Sequence, residues 1–532
     1  MYRVRGTKLP DHSAAQVLGT ANLGRLLNPV PGAISHTSVR ASLERDGRGR
    51  RNAKGMSQMT KITIDPVTRI EGHLKIGVEL DGSNTVISAN VTGKLYRGFE
   101  NILTNRHPFD AVYITQRICG VCPVSHSIAS AKANEQAIGF TPNDQALLLR
   151  ALIQGGNYLQ DHLLHFYHLN LMDYVAGPSL PPFTPATSAD QRFTSSQASQ
   201  LVNNYLTALR MRCQAQEMVA IVAGKVPHVS SVLPGGVTHS ITAAQIGDFR
   251  AYLTILQRFI NDTYLPDAQL LASVYSDHYG FGKGPGNLIC YGGFDQPGGS
   301  TLFKRGRIYD GASASVDIAQ IGEDVGHSYY SSPSGLNPAG GQTTPSYGKS
   351  GAYSWLKASR YAGGVHEAGP LARMKVSGYY TGGVSVMDRI MARALETQKI
   401  ANAMTTWLSQ VVAGSDAYTR VACSSGTGVG LTEAPRGALG HWLQYSDAKI
   451  TRYQVVTPTC WNASPKDDAG VAGAMEQALV GAHVANPDQP VELLRIVHSF
   501  DPCTGCSVHV ITPEKGISSE FVVAHPASAR WG

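Results

Sequence analysis

Two Cys-x-x-Cys pairs stand near opposite ends of the sequence, Cys119-Gly120-Val121-Cys122 and Cys503-Thr504-Gly505-Cys506. Such a turn brings two thiolates within reach of one metal, and its glycine allows the tight backbone. The two pairs are separated by most of the chain, so they can meet only in a folded core that closes a very long loop. A four-thiolate site fits soft or borderline metals: zinc, iron–sulfur, or nickel with iron. Structural zinc is the plainest of these, but zinc ribbons are compact, and here several hundred residues of mainly helical pattern intervene. The other cysteines, Cys213, Cys290, Cys423 and Cys460, lack ligand spacing and read as small buried hydrophobes. With 8 Cys in 532 residues, disulfides do not define the fold.

The net charge is +7, and its distribution matters more than its size. Residues 1–55 alone hold that excess, from Arg3, Arg5, Lys8, Arg25, Arg40, Arg45, Arg48, Arg50, Arg51 and Lys54 against Asp11, Glu44 and Asp46, so the remainder is neutral. A neutral body carries no net basic field, which argues against nucleic acid as a partner. Arg50-Arg51 is followed by no apolar run, so this is neither a secretory nor a twin-arginine signal. Residues 1–58 are read as a disordered leader, or as sequence upstream of a true start at Met56 or Met59. No window of about 20 residues is apolar enough to span a bilayer, so membrane attachment would run through a partner.

From Lys61 the alternation of Ile62, Ile64, then Leu74, Ile76, Val78 and Leu80, with Asp81-Gly82 as a turn before Val86–Val91, predicts a small antiparallel sheet. Helical patterns cover 109–137 and 142–175, the latter opened by Thr141-Pro142. Others fall near 189–224, 241–276, 386–414 and, as the last helix, 470–486. Residues 281–350 read as strand and loop, and 418–465 as loops with short strands. The expected fold class is α+β, mainly α: one large multihelical domain over 59–509 with a small N-terminal sheet.

The flanks of the two pairs are Arg117-Ile-Cys-Gly-Val-Cys-Pro-Val-Ser-His126 and Ser499-Phe-Asp-Pro-Cys-Thr-Gly-Cys-Ser-Val-His509. Four more motifs occur in order: Asp65-Pro-Val-Thr-Arg-Ile-Glu-Gly-His73, Arg97-Gly-Phe-Glu100, Glu433-Ala-Pro-Arg-Gly-Ala-Leu-Gly-His-Trp442 and Pro458-Thr-Cys-Trp-Asn462. Together they resemble the large, catalytic subunit of nickel-iron hydrogenases over about residues 60–532. The resemblance implies reversible heterolytic cleavage of H2. It makes Cys119 and Cys503 terminal nickel thiolates, and Cys122 and Cys506 bridges to an iron bearing carbon monoxide and two cyanides.

By the same resemblance Glu71 takes the proton from a terminal cysteine, Cys503; a carboxyl buried among apolar groups has the raised pKa this requires. Position 71 outside its motif would read as a surface strand glutamate. Arg436 is implied as the guanidinium over the metals, with Asp161 and Asp501 as its carboxylate partners. For Asp161 a solvated helix face, with His165 one turn on, is the competing reading. His126 would hydrogen-bond a bridging sulfur, Pro435 and Thr459 would line the cyanide pocket, and Asn462 would order its loop. Cys460 stands where many relatives have threonine, a departure that bears on packing. Glu100, the carbonyl of Val455 and His509 would hold a magnesium or similar cation.

Too few cysteines remain for an electron relay, which implies an iron–sulfur small subunit as partner. Val510–Gly532 is implied to be an extension cut after His509 by a maturation endopeptidase once nickel-insertion chaperones have loaded the site; a frayed terminus is the plain alternative. Ser507-Val-His-Val-Ile511 is similar to membrane-bound uptake enzymes, which favours hydrogen uptake and placement on the periplasmic face by co-export with the small subunit. Cys122-Pro-Val-Ser-His126 also resembles cytosolic cofactor-reducing types, so a cytoplasmic setting stays open. The rival readings are a non-catalytic four-cysteine zinc protein and a relative of the respiratory quinone-site subunit.

Overall fold

The alternation that opens the body becomes a three-stranded antiparallel sheet, β1 (Thr60–Ile64), β2 (Leu74–Leu80) and β3 (Val86–Gly93). Its apolar residues fall on one face: Leu74, Ile76, Val78 and Leu80 are all buried. The structure is a computed structural model and describes residues 60–180, 183 and 189–504. The leader, the tail after His509, and Cys506 and His509 themselves lie outside the described residues. All described residues belong to one compact unit.

After the sheet come α1 (Phe99–Ile102), α2 (Asp110–Thr115), α3 (Pro123–Ala137), α4 (Asp144–Leu164) and α5 (Ser195–Ala223). The short strands β4 (Val232–Leu233) and β5 (Gly236–Val237) precede α6 (Ala243–Phe259) and α7 (Leu265–Val274). Strands β6 (Leu288–Asp295), β7 (Thr301–Tyr309) and β8 (Ala312–Ala314) form a second sheet, and β9 (Ile321–Asp324) pairs with β10 (Ala358–Tyr361). Then follow α8 (Pro370–Val376), α9 (Val386–Gln410), and a third sheet of β11 (Gly426–Ala434), β12 (Gly437–Ser446) and β13 (Lys449–Val456). The chain closes with α10 (Pro458–Asn462), α11 (Ala474–Leu479) and α12 (Val491–Phe500).

Helix α4 runs through the buried core. Asn143 caps it by accepting from the Ala146 N–H at 2.9 Å, and from Leu148 to Leu163 every residue is buried. A helix buried on all sides must satisfy its polar residues internally: Arg150 pairs with Glu135 on α3, Gln154 bonds β11, Asp161 reaches the site described below and His162 reaches α9. It continues into a π-helical turn at His165–Asn170, which meets a second such turn, Ile260–Tyr264, through Phe166 and Tyr264 at 5.1 Å between rings.

Strand β11 lies flat on α3 because its alternate residues are glycines. A Cβ at Gly428 would stand 2.0 Å from the Ala133 carbonyl oxygen, and one at Gly430 1.8 Å from that of Ala129. Both obstacles are backbone and cannot swing aside. Gly430→Ala is therefore expected to destabilise the protein by about 2 kcal/mol or more through overpacking, measured as a lower thermal unfolding temperature.

Four sequence expectations need correction. The helix over 109–137 is interrupted: Cys119 is extended (φ −135°, ψ 139°), and Pro123 starts a new helix at its first position, where a missing N–H costs nothing. The expected last helix at 470–486 shrinks to α11, ended by Val480 in extended backbone and Gly481 at φ 84°. The last described helix is instead α12, which the prolines at 487 and 490 obscured. The strands in 418–465 are not short but span nine, ten and eight residues. Finally, Cys213 is exposed and Cys423 half-buried, so only Cys290 and Cys460 of that group are buried.

Candidate metal centre

Cys119 and Cys122 occupy the break between α2 and α3, and Cys503 follows α12. The fold brings them together: the three sulfurs lie within 4.8 Å of one another, all buried. Cys119 Sγ and Cys503 Sγ are 3.3 Å apart. That is too far for a disulfide and close to the ~3.8 Å expected between thiolates on one tetrahedral metal with ~2.3 Å bonds. The N–H groups of Val121 and Cys122 donate to Cys119 Sγ at 3.3 and 3.2 Å, as suits a thiolate. Three buried sulfurs gathered this closely fit a soft metal centre.

Glu71 sits in the β1–β2 connection, in a parallel bridge with Cys503. The Thr504 N–H donates to the Glu71 carbonyl oxygen at 2.8 Å. Its carboxyl is pushed above the ordinary value by burial and by the charge of Cys119, against the opposing pull of Arg436 and the Gly120 amide. The environment is that of a proton acceptor able to cycle.

Arg436 stands in the two-residue turn between β11 and β12, whose last pair is Ala434↔Gly437. It donates through Nη1 to Asp161 Oδ2 at 2.9 Å and pairs through Nη2 with Asp501 Oδ1 at 3.0 Å. The desolvation cost of burying this guanidinium is outweighed by Asp161, Asp501 and the thiolates of Cys503 and Cys122, which together hold its proton firmly. Asp161 is fully buried, so the solvated-face reading fails. Asp501 is a left-handed residue at φ 54° that caps α12. Burial works against its charge, but Arg436, His165 and Arg393 overcome it and keep its carboxyl low, with Arg393 Nη1 at 3.2 Å. Asp161 faces mainly one guanidinium, and burial pushes it up.

Beneath the turn, Arg373 grips Glu396 with two hydrogen bonds, 2.6 and 2.8 Å, and Glu433 with a third, 2.9 Å. His162 completes the cluster at 2.8 Å from Glu396. The pairs are wholly buried, so removing one partner would strand a charge, at a cost of about 3–5 kcal/mol. They fix the hairpin that carries Arg436.

His126, in the first turn of α3, is buried and held neutral by desolvation, down to about 4. Its Nδ1 faces His441 Nε2 at 3.1 Å, and His441 Nδ1 faces the Tyr453 hydroxyl at 2.7 Å. Thr459 accepts the Cys503 N–H at 3.0 Å. Pro435 presents its carbonyl to Arg373 Nη2 at 2.8 Å. Asn462 binds both the N–H and the carbonyl of Ala368, each at 2.9 Å, so it orders the segment before α8 rather than its own loop. Glu100 lies apart, in a cavity also lined by Val455, Cys460, Glu323 and Lys357. Its Oε1 accepts the Val455 N–H at 2.9 Å, and its Oε2 meets the Thr343 hydroxyl. Two carboxylates against one ammonium leave room for a hard cation.

Sequence reasoning missed Arg393, Glu396 and Arg373, which carry no spacing signal on their helices. His441 was in view within the Gly-Ala-Leu-Gly-His-Trp run, and Glu323 and Lys357 have no motif at all.

The family model for nickel-dependent hydrogenases matches residues 97–201, 177–384 and 379–509, and a HoxL-like model matches 61–92. The periplasmic [NiFeSe] hydrogenase large subunit of Desulfomicrobium baculatum is 41% identical over 495 residues, covering 86% of this chain and 96% of that protein. The uptake hydrogenase large subunit of Rhizobium leguminosarum bv. viciae is 33% identical, covering 85% and 96%. The solved Ni-Fe-Se hydrogenase from D. vulgaris Hildenborough in its reduced state superposes with a TM-score of 0.83 at 39% identity, over 85% of this chain and all of that one. With the thiol cluster and the multihelical fold, these matches show that the chain belongs to the nickel-dependent hydrogenases as a large subunit, an oxidoreductase acting on hydrogen.

Proposed function

We propose that this large subunit carries a nickel–iron centre, cleaves H2 reversibly and heterolytically, works in the uptake direction and passes electrons to an iron–sulfur small subunit. The observation that carries the reading is the convergence of Cys119, Cys122 and Cys503, sulfurs within 4.8 Å, beside Glu71 and Arg436. Cys119, Cys122, Cys503 and Cys506 would hold the nickel–iron centre, whose iron would carry carbon monoxide and two cyanides. Two of the relatives above, those of Desulfomicrobium baculatum and D. vulgaris Hildenborough, are named for selenium, whereas this sequence has cysteine at all four positions, which favours a centre of sulfur ligands alone.

When bound, the centre supplies the redox chemistry that splits hydrogen; the protein supplies the base and the charge around it. The carboxylate of Glu71 receives the proton, its affinity raised by burial and by the neighbouring thiolate. The Arg436 guanidinium, fixed by two aspartates, presents preorganised positive charge toward Cys122 and Cys503. His126, kept neutral, would tune one of the thiolate ligands. The Thr459 hydroxyl and the backbone around Pro435-Arg436, whose donor is the Arg436 N–H, would provide polar contacts for the cyanides. Glu100, the Val455 carbonyl and the His509 imidazole would hold a divalent cation, for which the two oxygen donors favour magnesium.

The uptake and periplasmic names of the relatives support action on the periplasmic face, and no helix among the described residues is long and apolar enough to cross a membrane. A maturation endopeptidase acting after nickel-insertion chaperones is assigned the cut at His509-Val510.

The test is metal analysis with intact mass on the complex purified from a maturation-competent host. One nickel and one iron in this subunit, ending at His509, is the expected result. A nickel-free subunit from that host would overturn the reading.

A further inference from the structure

Glu71 and Cys503 lie on segments far apart in sequence, so their separation depends on what ties those segments together. Close to the site the tie is the bond from the Thr504 N–H to the Glu71 carbonyl, reinforced by Thr504 Oγ1 at 3.2 Å from the same oxygen. A second tie lies one turn back along α12. His498 Nε2 is 2.9 Å from the Thr68 carbonyl oxygen, and His498 Nδ1 is 2.5 Å from Asp173 Oδ2. A carbonyl oxygen can only accept, and so can a carboxylate. Both ring nitrogens therefore face acceptors, and the ring spans from Asp173 to the Thr68 backbone.

The acceptor end of this tie is a stable anion. Burial works to raise the Asp173 carboxyl, but Arg69 and His498 overcome it and bring it down to about 2. Its other oxygen takes the Arg69 guanidinium, which also donates to the Leu169 carbonyl at 2.7 Å. Arg69 needs such restraint, since its backbone is left-handed at φ 56°, a region non-glycine residues seldom occupy. Arg495 donates to the Asp173 carbonyl at 3.2 and 2.9 Å, and His165 Nε2 meets the His498 carbonyl at 2.7 Å. Asp173, Arg69, Arg495 and His165 are thus the titratable groups gathered around His498 from the elements packed on it. Both His498 and Asp173 are buried.

The geometry points to His498, seated on Asp173, as a positioning residue for proton transfer: it pins Thr68–Glu71 to α12 and so fixes Glu71 against Cys503. It rests on the assignment of Glu71 as the base. It does not touch the reacting atoms, and its effect passes through the Thr68–Glu71 backbone.

The test uses the complex with the small subunit and the variant His498→Gln, whose two N–H donors share one nitrogen and cannot take the places of both ring nitrogens. Backbone deuterium uptake over residues 66–74 is expected to quicken at least tenfold. The rate of D2/H+ exchange is expected to fall about tenfold, with a larger solvent isotope effect, and KM for H2 and nickel content are expected to hold. Unchanged uptake over 66–74, or faster uptake with unchanged D2/H+ exchange and isotope effect, would overturn the proposal. Asp173→Asn gives the same readouts if His498→Gln does not load metal; if neither loads, unaltered protection of 66–74 in the unloaded chain still overturns it. Glu71→Gln runs beside them: normal D2/H+ exchange in that variant refutes the base assignment itself, whereas deuterium uptake over 66–74 reports on the His498 tie alone.

Discussion

Replacing Glu71 with glutamine is expected to lower H2 oxidation and D2/H+ exchange by a factor of about 10²–10⁴, the usual contribution of a positioned acid–base group, while nickel and iron stay bound. Glutamine keeps the shape and the polar contacts of the carboxyl, so the loss isolates proton transfer. The direction of the pKa shift adds a second reading. Burial and the Cys119 charge raise the Glu71 carboxyl above 4.5, so protonation in the resting protein begins at a higher pH than for a surface glutamate. In the oxidation direction the base must start unprotonated, so activity should fall on the acid side through a limb lying above pH 4.5, and E71Q should flatten it. Metal content is checked by elemental analysis, and the exchange rate by mass spectrometry of the evolved gases. Full exchange in E71Q with a full metal complement would exclude Glu71 from the reaction.

Cys119→Ser is expected to abolish both nickel and activity, to below about 1% of the parent. A hydroxyl is a poor ligand for a soft metal and does not ionise at neutral pH. The loss extends beyond one ligand bond. Cys119 Sγ lies 3.3 Å from Cys503 Sγ and takes two backbone N–H bonds, so the serine would also leave the loop before α3 less well fixed. Cys213→Ser is the control: that thiol is exposed on α5, away from the cluster, and its loss should leave nickel content unchanged. A nickel-replete Cys119→Ser protein would remove Cys119 from the ligand set.

Much of the site was legible because its chemistry is written in short runs. The Cys-x-x-Cys pairs, the Glu71 segment and the Ala-Pro-Arg turn each combine a reactive group with the residues that shape its backbone. The period-two pattern likewise revealed β1 to β3. What escaped were contacts between helices distant in sequence. Arg373, Arg393 and Glu396 look like ordinary charged residues on amphipathic segments; only packing shows that they are buried and paired across α8, α9 and α4. The same blindness made Asp161 ambiguous, since periodicity cannot say whether a polar residue on a wholly buried helix meets solvent or a guanidinium. Boundaries failed where backbone chemistry overrode pattern: the cysteine turn broke a helix that apolar spacing had joined, and two prolines hid α12.

The distance along the chain between Cys119 and Cys503 also has a temporal meaning. At about 5–20 residues per second of translation, the first thiol pair emerges roughly 20–80 s before Cys503 is even synthesised. Throughout that interval the nascent polypeptide displays a two-sulfur half-site that could capture zinc or copper or suffer oxidation. Nickel selectivity in the cell is therefore a matter of order as well as affinity: the early half must be shielded or kept reduced until the ribosome has delivered its other half.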